Sequence, residues 1–224
     1  MSISQNLKIL KEEIPQNVEL VAVSKFHPAS MIQEAYDAGQ RLFGESRVQE
    51  LIEKKQQLPV DIKWHFIGHL QTNKVRQLIG MQPYMIESVD SVKLLDLINR
   101  ESEKKGIVSQ VLLQLHVARE ETKFGFYPEE LIDYLNSDSY LSFNFVRICG
   151  LMGMATNTED EEIIRTDFRK IHEVFVKIKE NKRLQLPFFD KLSMGMSGDW
   201  RIGIEEGSNM VRIGSAIFGN RGRV

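Results

Sequence analysis

The chain has 224 residues, a formal net charge of −2 from 29 basic and 31 acidic side chains, and one cysteine. So even a balance gives no global field for nucleic acid or an anionic membrane, and a lone cysteine excludes an internal disulfide and fits a reducing compartment. Composition is that of an ordinary globular protein, 42% hydrophobic and 27% charged, and no uninterrupted apolar run approaches the roughly 20 residues of a membrane span. The N-terminal stretch MSISQNLKILKEEI is an amphipathic helix pattern without the apolar centre of a signal peptide. The expectation is a cytoplasmic soluble protein, and length alone allows one large domain or two small ones.

Past that first helix, residues 19–25 (ELVAVSK) read as a strand buried on both faces, because the apolar run is rich in β-branched side chains. His27-Pro28 stops it. Residues 28–39 read as a helix with Met31, Ile32, Ala35 and Tyr36 on one face and Gly39 as its C-terminal stop. A second strand at 41–43 ends in Gly44-Glu45-Ser46, and residues 48–58 follow as a helix with charges on its outer face. The third strand, 62–68, leads to a helix over 73–79, and the fourth, 84–89, to a helix N-capped by Ser91 and ending at Lys105-Gly106. The fifth strand, 108–117, precedes a helix over 128–135. The sixth, 146–152, precedes a long helix over 159–182 and carries Cys149 as a buried structural thiol. The seventh, 191–196, precedes a short helix over 199–206. After the eighth, 210–214, ten residues leave room for one helical turn.

Strict alternation of strand and helix implies parallel strands, since each crossover needs a helix to cover the sheet. Eight such units, in slightly fewer than the usual roughly 250 residues, predict an α/β fold: a single (β/α)8 TIM barrel over residues 1–224 with an extra N-terminal helix. An open doubly wound sheet would carry a glycine-rich loop after its first strand, where this chain has Lys-Phe-His-Pro. In a barrel the chemistry gathers at the C-terminal strand ends. That places Lys25, Glu45, Ser46, residues 68–73, Asp90, residues 152–156, Ser197, Gly214 and Ser215 at the mouth.

Lys25 has two open readings. It is either a lysine whose ammonium snorkels out at a strand end, or one desolvated until its neutral amine attacks a carbonyl. The loops after strands seven and eight, MSGD at 196–199 and RIGSAIFG at 212–219, combine glycine, serine hydroxyls and helix-start amides. Many barrels bind phosphate there, although either loop alone is an ordinary turn. A lysine across the mouth from two such loops fits a phosphorylated aldehyde held as a Schiff base. No His, Cys, Asp and Glu grouping has metal-ligand spacing. His65 and His69 fall on a strand and then its loop, and His65 reads as a satisfied core histidine. No nucleophile elbow supports a serine hydrolase.

VAVSK at 21–25, FGESRVQE at 43–50, WHFIGHLQTNK at 64–74, SVDS at 88–91, GLM at 150–152, LSMGMSGDW at 192–200 and GSNMVRIGSAIFGNR at 207–221 follow one another along the chain. Together they resemble the pyridoxal 5′-phosphate homeostasis proteins. The resemblance implies a fold like the N-terminal barrel domain of alanine racemase, with pyridoxal 5′-phosphate as cofactor. It matches Lys25 to the family lysine that forms the Schiff base, and Ser197, Gly214 and Ser215 to the phosphate binders. Arg212 matches the arginine beside the pyridine nitrogen. Ser46 stands where many relatives carry asparagine, which leaves a ring contact there open, and His69 stands in place of a proline. Lys123, in the run 121–125, looks like another recurrent family lysine. It reads either as a second amine that accepts the cofactor or as a solvated loop lysine.

The pyridine ring is strongest as an electron sink when a carboxylate partner keeps its nitrogen protonated, and an arginine opposes that. Racemisation also needs an acid/base group on each face of the substrate. Alanine racemase takes one from a second, β-rich domain, for which the residues after strand eight leave no room, and the sequence does not bring Tyr127 or His116 to the mouth. The expected function is therefore a monomeric binder without turnover. It would buffer pyridoxal 5′-phosphate or deliver it to apo-enzymes, and so influence amino-acid and keto-acid metabolism. Two alternatives stay open: a weak amino-acid racemase of the same fold, and a cofactor-free Schiff-base aldolase.

Overall fold

Strands that are apolar on both faces need helices outside and packed side chains inside. The computed structural model, which describes residues 2–120 and 123–219, meets both needs with a closed barrel of eight parallel strands in sequence order. The strands are β1 (Glu19–Val23), β2 (Leu42–Glu45), β3 (Lys63–Phe66), β4 (Met85–Val89), β5 (Ser109–Leu115), β6 (Val146–Gly153), β7 (Lys191–Ser193) and β8 (Met210–Ile213). Closure runs through β1 and β8, where Val21 pairs with Arg212 and Ala22 with Ile213. The predicted fold is the observed one.

The helices are α1 (Ile3–Glu13), α2 (Ala29–Asp37), α3 (Val48–Gln57), α4 (Val75–Gly80), α5 (Val92–Lys105), α6 (Pro128–Asn136), α7 (Glu161–Glu180), α8 (Trp200–Glu205) and α9 (Ser215–Phe218). Helix α1 precedes the barrel and is fixed at both ends of its logic. Ser2 and Gln5 form a capping box, and Ile3, Leu7 and Leu10 make one buried stripe. Asn6 on this helix donates to the Ile217 carbonyl at 2.9 Å, so α1 grips α9.

Two apolar layers result. Outside the strands, Phe43, Trp64, Phe66, Leu113, Leu151 and their neighbours pack under the helices. Inside, Val21, Met85, Leu112, Cys149, Met152 and Met210 fill the barrel. Cys149 and Met152 both face inward although they are three residues apart, which regular alternation forbids. A register shift in the β5–β6 pairing resolves this: Val111 pairs with Ile148 but Leu112 with Gly150. A Cβ on Gly150 would stand 1.8 Å from the Lys191 carbonyl oxygen, so glycine is required there.

Several boundaries differ from the sequence reading. β1 ends at Val23 rather than Lys25, β7 at Ser193 rather than Met196, and a 3-10 turn (Thr72–Lys74) precedes α4. Helix α3 corrects a larger point, because its charges do not all face outward. Lys54 is buried against the barrel, where its ammonium lies 2.8 Å from Glu45 and 2.6 Å from Glu50.

Candidate functional site

The alternation along β1 sets Val21, Val23 and Lys25 on the inward side. Val21 joins the inner core, while Val23 and Lys25 line a cavity of about 260 Å³ at the mouth. The last rung of the ladder is Ser24 N–H to the Gly44 carbonyl at 3.0 Å, after which the chain turns and His27 N–H returns to the Ser24 carbonyl at 3.1 Å.

The far wall is built by the loops after β7 and β8. Gly195 has φ +94°, and a Cβ there would lie 2.8 Å from the Trp200 Cα, so only glycine lets this loop fold back. Met196 N–H donates to the Asp199 carboxylate at 2.5 Å, which shapes the turn. Gly214 N–H donates to the Ser197 hydroxyl at 3.1 Å and joins the two loops. A Cβ on Gly214 would come 3.1 Å from the Val23 carbonyl oxygen. Ser197, Gly198, Gly214 and Ser215 thus present hydroxyls and bare backbone to the space that Lys25 enters, and Ile67, Met152, Met154 and Met196 supply apolar walls.

Arg212 forms the floor. Its guanidinium donates to the Ser193 carbonyl at 2.8 Å, the Ser193 hydroxyl at 2.5 Å and the Gly153 carbonyl at 2.9 Å. Below it Glu87, fully buried, accepts from the Ser193 hydroxyl at 2.6 Å and lies 3.7 Å from Arg212. Its other oxygen meets His65 Nδ1 at 2.6 Å. Burial pushes the Glu87 carboxyl up, but His65, Arg212 and the Ser193 hydroxyl outweigh it, and the net direction is down. Burial also pulls the Arg212 guanidinium below its ordinary value, against Glu87 and Asp199, yet a guanidinium stays charged. The floor therefore offers a fixed positive charge with a carboxylate one layer deeper.

Of the sequence-predicted residues, Lys25, Ser197, Arg212, Gly214 and Ser215 line this one cavity, and Ser46 and Lys123 do not. Ser46 lines a neighbouring groove with Phe66 and His69. Lys123 lines an adjoining pocket that shares Met154, Met196 and Gly198 with the first. It is not a freely solvated lysine, since it pairs with Glu120 at 3.0 Å and donates to the Ala155 carbonyl at 2.7 Å. Glu120 is held down to about 2, first by the Asn157 N–H. Glu121 and Thr122 lie outside the described residues.

His65 is a core histidine as expected, but only half satisfied: Nε2 has no hydrogen-bond partner among the described residues. His69 pairs with Asp90 at 2.9 Å and stacks on Phe124 with ring centroids 3.7 Å apart, which links three loops at the rim. Among the described residues no group of three or more His, Cys, Asp or Glu could hold a metal ion. Sequence reasoning missed His27, which lines the cavity, and missed Glu87 and Ser193 beneath it. An acid within the apolar run of β4 was the one available signal for the latter pair.

A parallel barrel with an amine, two glycine–serine loops and a buried guanidinium at its C-terminal mouth defines a small-molecule-binding barrel. Residues 1–222 match the family described as alanine racemase, N-terminal domain. The chain is 41% identical over 207 residues to the pyridoxal phosphate homeostasis protein of Aquifex aeolicus, covering 91% of this chain and 87% of that one. It is also 41% identical over 217 residues to the human protein of that name, covering 90% and 76%. Among solved structures, PipY of Synechococcus elongatus, 35% identical, covers 97% of this chain and 100% of its own. Its TM-score is 0.91 without PLP and 0.86 with PLP bound. An alanine racemase of Clostridium difficile shares the fold at TM-score 0.78 and 17% identity over 98% of this chain and 56% of that one. The chain belongs to the alanine racemase N-terminal domain family and, within it, to the pyridoxal phosphate homeostasis proteins.

Proposed function

We propose that this chain binds pyridoxal 5′-phosphate in the cavity at the barrel mouth and serves the homeostasis of that cofactor without turning over a substrate. One observation carries the reading: Lys25 and both glycine–serine loops line a single cavity in a chain 35% identical to a protein solved with PLP bound. The residues fit the group. Lys25 supplies the amine that binds the aldehyde, and Ser197, Gly214 and Ser215 supply hydroxyls and unshielded backbone for the phosphate. Ile67 and the methionines would give a flat ring apolar contact, and Arg212 would add a positive charge from the cavity floor. When bound, the cofactor would supply an electron sink, and the fixed guanidinium of Arg212 would weaken that sink if the ring nitrogen met it.

The titratable side chains that line the cavity also favour a binder. Among the described residues they are Lys25, His27 and Arg212, and the first two come from one loop. His116 and Tyr127 pack on each other, with ring centroids 5.2 Å apart, and neither lines the cavity. A racemase needs acid/base groups on opposite substrate faces. Delivery to apo-enzymes by a monomer in the cytoplasm is the finer part of the same reading.

Absorption spectra of the protein with added pyridoxal 5′-phosphate test it. Wild type is expected to show the visible band of a protonated pyridoxal Schiff base, fixed by borohydride on the peptide that contains Lys25. Lys25→Ala is expected to lack the band, and no D-amino acid should accumulate from L-amino acids. An absent wild-type band, or one untouched by Lys25→Ala, overturns the assignment. Sustained Lys25-dependent D-isomer formation overturns the binder reading.

A further inference from the structure

Helix α3 buries a lysine that cofactor binding as described above does not use. Lys54 is 5% exposed. Its ammonium donates to Glu50 Oε1 at 2.6 Å, to Glu45 Oε1 at 2.8 Å and to the Ser24 carbonyl at 2.8 Å. The two carboxylates act on the same turn. Glu45 Oε1 accepts from the Ser24 hydroxyl at 2.5 Å, and Glu50 Oε1 accepts from Phe26 N–H at 2.6 Å. The residues on either side of Lys25 are therefore held from behind by one ionic cluster on β2 and α3.

That turn needs holding. The β ladder ends at Ser24, and Phe26 has φ +68°, a left-handed conformation that is strained for a non-glycine residue. A buried ion cluster is weak evidence for stability, since apolar residues of similar volume often do as well. What an apolar replacement would not do is bond a carbonyl, a hydroxyl and an amide of one turn.

We propose that Lys54, with Glu45 and Glu50, is the positioning group for Lys25. It fixes the turn at residues 24–26 so that the Lys25 amine enters the cavity at the angle and depth needed for Schiff-base formation. In that step the neutral amine nitrogen bonds the aldehyde carbon, and the aldehyde oxygen leaves as water with the two amine hydrogens. The inference rests on the reading of Lys25 as the attachment point.

Two ligands separate positioning from mere folding. Pyridoxal 5′-phosphate reports both pocket binding and Schiff-base formation, whereas pyridoxine 5′-phosphate, with an alcohol in place of the aldehyde, reports the pocket alone. Lys54→Met is expected to lower the rate and extent of Schiff-base formation by about tenfold or more, the scale of a small misplacement of a reacting group. Affinity for pyridoxine 5′-phosphate should stay unchanged, and Lys54→Arg should recover much of the loss. Glu50→Ala, on the rim of the cluster, should show the same split to a smaller extent and decides the matter if Lys54→Met does not fold. Variants that form the Schiff base like wild type, or that lose both ligands in parallel, overturn the inference. Wild type that forms no Lys25-dependent band overturns instead the reading beneath it.

Discussion

Glu87 is the residue on which the polar layer of the barrel depends. It stands 22 residues from His65 and 106 from Ser193 in sequence, yet bonds both and balances Arg212. Removing one partner of a buried ionic group leaves the others uncompensated. Glu87→Leu is therefore expected to destabilise the protein by about 3–5 kcal/mol in urea unfolding, whereas Glu87→Gln, which keeps an acceptor, should cost less. An equal effect of the two would deny the charge its role. Lys25 stood out in the sequence as a local contradiction, a charged residue closing an apolar strand, and the loops across the mouth and the family resemblance supplied its reading as the Schiff-base lysine. Glu87 posed the same contradiction, but its partners come from three other strands, and no spacing along the chain brings them together.

At the scale of elements, local pattern carries far but does not count bulges. The apolar runs and capping signals gave each strand and helix to within a few residues. Nothing local says that β6 takes an extra residue, Cys149, or that the next position must be glycine, because what excludes a Cβ there is the Lys191 carbonyl on the neighbouring strand. Gly150→Ala should cost at least about 1–3 kcal/mol, the scale of backbone strain, with a lowered urea midpoint as the readout. The change should also disturb cofactor binding, since the bulge sets how Met152 on β6 and Met154 just after it reach the cavity. A neutral substitution would show that the strand can re-register. Helix α3 teaches a similar lesson. Its charges read as a solvated face, and only packing against the end of β2 shows that Lys54 turns inward.

For the whole molecule, two buried glutamates give opposite pH dependences. Glu87 lies below its ordinary value, so its contribution is present above the unfolded value and is lost as pH falls through the depressed one. Glu45 is pushed by burial from 4.5 to about 7, against the pull of Lys54 and Ser24. Between those values the folded state holds a proton that the unfolded state has released, so stability falls as pH rises through this window and levels off above it. Glu45→Gln cannot titrate, and urea midpoints at the two ends of the window should show a flatter slope than wild type. An unchanged slope would place the titration elsewhere.

By itself the sequence determined the eight βα units, the barrel they imply, the N-terminal helix and the five residues that meet in one cavity. The elements and the barrel follow from periodicity, caps and strand ends, which are properties of near neighbours, while Arg212 joined the five through the resemblance of its motif to a known family. The tertiary structure alone decided that Ser46 and Lys123 stand outside that cavity, that His27 lines it, and that buried carboxylates brace it from below and behind. The reason is physical: a side chain's burial and its counter-charge are set by elements that are distant in sequence and become neighbours only when the barrel closes.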